Sequence, residues 1–116
     1  MNVRKFIRSF GYAVEGITTG VREQNLRFHL LSMVIVIIAG LLTGLSVIEW
    51  MIVVLLFALM IGMELMNTAI ERVVDLTSPD IHPLAKQAKD LAAGAVLVFA
   101  CASVIIGLLI FLPKWF

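Results

Sequence analysis

Glu64, Asn67, Glu71 and Asp75 interrupt a hydrophobic run with spacings of three, four and four residues. On a helix advancing about 100° per residue these side chains stay within about 80° of one another and form one polar stripe. An ionisable group in a membrane-length apolar helix is costly enough to be read as functional. A helix end emerging into water would account for Asp75 and Arg72, tolerably for Glu71, and poorly for Glu64 and Asn67. The stripe, together with Lys86 and Lys89, has the parts that phosphoryl transfer needs. Carboxylates can hold Mg²⁺ against phosphate oxygens, lysines add positive charge, and a further carboxylate can take the proton of an attacking hydroxyl. Glu64 is the candidate base, because a carboxylate partly withdrawn from water accepts a proton more readily than an exposed one.

The elements that must carry this stripe are membrane helices. At 116 residues, 61% hydrophobic and 15% charged, the chain is too apolar for a soluble domain and is read as an all-α integral membrane protein of one unit, residues 1–116. The single cysteine, Cys101, excludes an intrachain disulfide and a thiolate metal cluster. A cleavable signal peptide is not expected, since Glu15, polar residues and glycines break the stretch after the basic N-terminus. The pattern points to no nucleic-acid partner.

Residues 1–22 mix Arg4, Lys5, Arg8 and Arg22 with apolar residues at helical spacing, which predicts an amphipathic helix lying on the membrane surface. A first span is expected over 28–45, with His29 at its threshold as a snorkelling interfacial group. Gly44 to Glu49 reads as a short connection, and a second span is expected over 50–75, opening at the interfacial Trp50. Counting from Trp50, Glu64 lies ~21 Å along the helix and Glu71 ~31 Å, which sets the stripe at the opposite headgroup layer. Pro79 and Pro83 mark a turn, and a third span is expected over 83–112. Eight of the nine basic residues fall on the side that carries the stripe, which makes that side cytoplasmic. Gly16-x-x-x-Gly20 and Gly40-x-x-x-Gly44 are weak hints of self-association.

The run Glu64-Leu65-Met66-Asn67-Thr68-Ala69-Ile70-Glu71-Arg72-Val73-Val74-Asp75, followed by His82-Pro83-Leu84-Ala85-Lys86-Gln87-Ala88-Lys89-Asp90, resembles the small prokaryotic diacylglycerol kinases. The likeness extends to Gly11-Tyr12 and Gly16, and to Glu23-x-Asn25-x-Arg27-x-His29. Its details are closer to the Gram-positive branch, whose members are undecaprenol kinases. The family is unrelated to soluble kinases, in keeping with the absence of a G-x-x-x-x-G-K-[ST] or G-x-G-x-x-G loop. The resemblance implies a homotrimer of three-span subunits in the bacterial cell membrane, with composite active sites on the cytoplasmic side and MgATP as phosphate donor. It assigns Glu64 as general base and Glu71 with Glu23 as metal ligands. Tyr12, Asn67, Asp80, His82, Lys89 and Asp90 match positions around the nucleotide, although the spacing between Gly16 and Glu23 differs from that of the enterobacterial branch. Lys86 replaces a small residue of that branch, and its nucleotide role is inferred from its charge.

The expected function is therefore ATP- and Mg²⁺-dependent phosphorylation of a membrane lipid alcohol, with undecaprenol favoured by the branch resemblance and diacylglycerol as the alternative. Both present one primary hydroxyl at the interface, so the physics of the residues does not separate them. A proton-coupled transporter would need its acid near mid-bilayer and would leave Lys86, Lys89 and Asp90 without a task. A purely structural subunit would explain the spans and none of the stripe.

Overall fold

The computed structural model describes residues Met1 to Phe116 as four helices. They are α1 (Val3–Val21), α2 (Gln24–Thr43), α3 (Val47–Thr77) and α4 (Pro83–Trp115). The last three are long and apolar enough to cross a membrane. Only 10 of the 116 residues are buried. So much exposed Leu, Ile, Val and Phe surface would aggregate in water and is at home in lipid.

Each boundary has a local cause. Asn2 caps α1 by accepting from the Lys5 amide at 3.1 Å. Gly44 ends α2 in the left-handed conformation, φ 82°, which a side chain would resist. Ser46 then starts α3 with a capping box: its hydroxyl accepts from the Glu49 amide at 3.2 Å, and the Glu49 carboxylate accepts from the Ser46 amide at 2.9 Å. The helix thus begins at Val47, ahead of Trp50, because the polar residues expected to form a connection are in fact its cap. α2 likewise begins at Gln24, well before the first uncharged run. His82 caps α4 through Nδ1, which accepts from the Leu84 amide at 3.1 Å, and Pro83 takes the first helical position.

α3 and α4 form the most extensive helix pair and run antiparallel, tied near both ends by ion pairs. Lys89 meets Asp75 at one end, and Lys114 Nζ lies 3.0 Å from Glu49 Oε1 at the other. The stretch of helix between these ties is ~38 Å, longer than a hydrocarbon core of about 30 Å. At the Lys114 end, Trp115 Nε1 donates to Thr43 Oγ1 at 2.8 Å and brings α2 alongside. A small core of Val53, Ile110 and Phe111 sits there, with Trp50, Phe57 and Val36 packed on it. Trp50 lies over the bare backbone of Gly40, where an added Cβ would come within 2.7 Å of its ring.

At the opposite end α1 folds back onto α3. Gly20 is buried against Leu65, and an added Cβ would lie 2.3 Å from Leu65 Cδ2 and 3.2 Å from Leu26 Cδ2. Gly20 and Gly40 thus both serve close packing within one chain. We expect Gly20→Val to lower the thermal midpoint in detergent, at an overpacking cost of about 1–3 kcal/mol. Leu65→Ala in the same chain should recover part of the loss, and a double variant no more stable than Gly20→Val alone would mean that the two residues do not share this contact.

Candidate active site

Glu64 is 3% exposed and Asn67 5%, the two buried residues of the stripe. Their cover is built from three helices. Leu65, beside Glu64 in sequence, packs over Gly20 of α1 and Leu26 of α2. Leu26 is 1% exposed, and full burial of such a side chain is worth about 1.5–3 kcal/mol. One turn further along α2, His29 Nε2 approaches Glu64 Oε2 to 3.4 Å. His29 is therefore more than a snorkelling group at the threshold of a span, because it faces the buried carboxylate.

From Glu64 the stripe climbs toward solvent. Asn67 Nδ2 donates to Glu71 Oε1 at 3.1 Å, which orients that half-buried carboxylate, while Asn67 Oδ1 is buried without a partner. Asp75 is exposed and paired with Lys89 of α4. Glu23 stands at the N-cap position of α2 but makes no capping bond. Its carboxylate reaches α3 instead, where Oε1 accepts from Arg72 Nη2 at 2.8 Å. Arg72 follows Glu71 directly, so Glu23 is brought to the same level of α3 as the second glutamate of the stripe.

The residues expected around a nucleotide are gathered only in part. Lys86 Nζ lies 2.6 Å from Asp90 Oδ2 within α4, while Lys89 turns across to α3, so the shared face divides into two pairs. Asp80 and His82 are exposed in the connection between α3 and α4, the Asp80 carbonyl accepting from Ser78 Oγ at 3.2 Å. Tyr12 is exposed on α1 and makes no hydrogen bond to the stripe. No three His, Cys, Asp or Glu side chains converge into a metal cage. In chemical terms there is a water-shielded carboxylate, Glu64, then Glu71 about two turns and Asp75 about three turns further along α3 where water can reach them, and Lys89 paired with the last.

The sequence model of the prokaryotic diacylglycerol kinase family matches residues 11–111, which take in the whole stripe and at least part of every helix. The chain belongs to this family. Undecaprenol kinase of Bacillus subtilis (strain 168) is 55% identical over 113 residues, covering 97% of this chain and 92% of that protein. Diacylglycerol kinase of Synechocystis is 46% identical over 107 residues, covering 90% of this chain and 61% of that protein. Diacylglycerol kinase of Escherichia coli (strain K12) is 26% identical over 102 residues, covering 87% of this chain and 84% of that protein. The protein is thus a lipid kinase, and the transporter and structural-subunit alternatives fall away.

Two features of this kinase escaped sequence reasoning: the approach of His29 to Glu64 and the bond between Arg72 and Glu23. Both lie between antiparallel helices, and stepping six residues along α2 against eight along α3 relates one pair to the other. The Asn67 bond is testable alone. Asn67→Asp would set a buried carboxylate against Glu71, and we expect it to lower the thermal midpoint at neutral pH by more than Asn67→Leu does. Acidification should narrow the gap as the introduced carboxyl takes up a proton. The reverse ranking would mean that the Asn67 amide does not hold Glu71.

Proposed function

We propose that this kinase transfers the γ-phosphoryl group of ATP to the hydroxyl of undecaprenol, giving undecaprenyl phosphate and ADP. The observation that carries this reading is the burial of Glu64 at 3% exposure on a membrane-length helix whose exposed end bears the remaining charges. The preference for undecaprenol rests on 55% identity to the Bacillus enzyme across nearly all of both chains, against 46% and 26% to two diacylglycerol kinases. Diacylglycerol, phosphorylated to phosphatidic acid, is the second substrate to test.

In the proposed reaction Glu64 accepts the proton of the lipid hydroxyl as its oxygen bonds to the γ-phosphorus. The bond from that phosphorus to the bridging oxygen breaks, and its electron pair leaves with ADP. Glu23 and Glu71 suit a Mg²⁺ ion. Each has one carboxylate oxygen in the hydrogen bonds described and another free, both are reached by water, and a Mg²⁺ ion would take its remaining ligands from phosphate and water. Mg²⁺ would neutralise phosphate charge there. Lys89, Asp90, Lys86 and Asn67 lie toward the same end, where ATP would arrive from the cytoplasm.

The protein is read as a multi-pass bacterial plasma-membrane protein with this end cytoplasmic, because eight of nine basic residues lie on that side. α1 fits an amphipathic surface helix: Phe6, Ile7, Phe10, Val14 and Ile17 are exposed among Arg4, Lys5 and Arg8, ready to enter the lipid interface. A homotrimer fits the dispersal of the expected nucleotide residues. Tyr12, Asp80 and His82 make no hydrogen bond or ion pair with the carboxylates of their own chain and could complete the site of a neighbour.

The deciding experiment compares purified protein in mixed micelles with ATP, Mg²⁺ and either undecaprenol or diacylglycerol. We expect faster phosphorylation of undecaprenol, and a consistent preference for diacylglycerol would reverse the assignment. In the same assay Glu64→Gln should lose about 10² to 10⁴-fold in turnover with ATP affinity close to normal, and near-normal turnover would remove Glu64 as base.

Glu23→Ala and Glu71→Ala should each raise the Mg²⁺ concentration needed for half-maximal rate. If the two glutamates share one ion, the double variant should be little worse than either single one. Losses that add in free energy would mean two independent sites.

A further inference from the structure

We propose that His29 is the positioning residue for the catalytic base. It would hold one oxygen of the Glu64 carboxylate and leave the other to take the proton of the lipid hydroxyl. The inference rests on the lipid-kinase reaction proposed above and concerns a residue to which that reaction gives no task.

Glu64 is 3% exposed, and His29 is the one charged or ionisable group within ion-pair distance of it. Asn67, the nearest polar residue along the stripe, is turned to Glu71. The His29 side chain is itself only 19% exposed, and it presents Nε2 to Glu64 Oε2 at 3.4 Å. Its helix is held in place beside α3. Phe28 packs edge-on at a centroid distance of 6.1 Å, and α2 as a whole is held against α3 by Leu26 and by the Glu23–Arg72 bond. A carboxylate with two equivalent oxygens and a free torsion is a poorly aimed base, and a donor on one oxygen fixes both the torsion and the lone pair that remains. At 3.4 Å the pair is within ion-pair distance without closing a hydrogen bond, and a modest ring rotation would let an imidazole with its proton on Nε2 donate to Oε2 in the reacting complex.

The surroundings of His29 also bear on the substrate. His29 lines one end of a cavity of about 450 Å³ between α2, α3 and α4 whose walls are mainly apolar, among them Met33, Met60, Val104 and Phe111. His29 thus stands at the boundary between a lipid-like space and the buried carboxylate, where the proton to be removed is that of a lipid hydroxyl.

The test uses the full-length protein in mixed micelles with ATP, Mg²⁺ and whichever of the two lipid alcohols the wild type phosphorylates. His29→Leu keeps much of the side-chain bulk and removes the donor. We expect kcat to fall by about 10²-fold with the KM for ATP unchanged, and His29→Gln, whose amide nitrogen can reach a similar point, to recover to within about tenfold of wild type. In a Glu64→Gln background, adding His29→Leu should cost no more than about twofold, since the group being aimed is already gone. Wild-type kcat in His29→Leu, or losses that multiply in the double variant, would overturn the role while leaving the lipid-kinase reading intact. A wild-type protein inactive toward both lipids would overturn the substrate assignment and this role with it. Should His29→Leu fail to fold, His29→Gln and His29→Asn decide the matter. The shorter Asn falls short of Glu64, so a much larger kcat for Gln supports the aiming contact and equal values refute it.

Discussion

A carboxylate can sit inside an apolar membrane helix only if its neighbours both cover it and give it something polar to face, and much of this chain answers that demand for Glu64. α3 alone could not do so, because its next polar side chain, Asn67, is committed to Glu71. The cover comes from the turn between α1 and α2. Gly20 lets α1 lie close enough for Leu65 to fill the gap, Leu26 is sealed beneath it, and His29 arrives one turn later at the level of the carboxylate. The same cover has a chemical value. In the proposed reaction a base open to water would activate water as readily as a lipid hydroxyl, and covering Glu64 would favour transfer over ATP hydrolysis.

The depth of that carboxylate is fixed by ties at the two ends of α3 and α4. Lys89 with Asp75 and Lys114 with Glu49 are solvent-reachable pairs, which as a class add little to stability. Their consequence is positional. Charges ~38 Å apart on two antiparallel helices resist being drawn into a hydrocarbon layer about 30 Å thick, so the pair cannot slide far through the membrane in either direction. The indole of Trp115 on Thr43 extends the same restraint to α2, and with it to His29.

Much of this was legible in the sequence because it is periodic. The three long apolar runs, the shared face of Glu64, Asn67, Glu71 and Asp75, and the turn at Pro79 and Pro83 are local patterns that a helix repeat exposes directly. Ser46 has the composition of a loop although Ser46-x-x-Glu49 is a capping box, since small polar residues serve turns and helix starts alike. The pairing of His29 with Glu64, and of Glu23 with Arg72, could not be read the same way. Periodicity tells which face a residue occupies on its own helix, and it is silent on which residue of another helix will stand opposite. Register between helices is set by packing, here by Gly20, Leu26 and Leu65, whose shapes rather than polarity decide how α2 slides along α3.

The graded burial of the stripe suits the two substrates that the proposed reaction would bring to it. A lipid alcohol presents its hydroxyl from within the bilayer and needs a base shielded from water, whereas a nucleotide carries charges that would be expensive to desolvate and needs ligands that water can reach. Glu64 and Glu71, about 10 Å apart along one helix, satisfy the two conditions with a single element. Asn67 lies between them, its amide nitrogen on Glu71 and its carbonyl oxygen buried and unpaired. That arrangement steadies the half-buried carboxylate without adding charge beside the buried one. An aspartate there would repel both neighbours, and an aliphatic residue would steady neither. A neutral amide between Glu64 and Glu71 orients the second carboxylate without bringing a third negative charge between them.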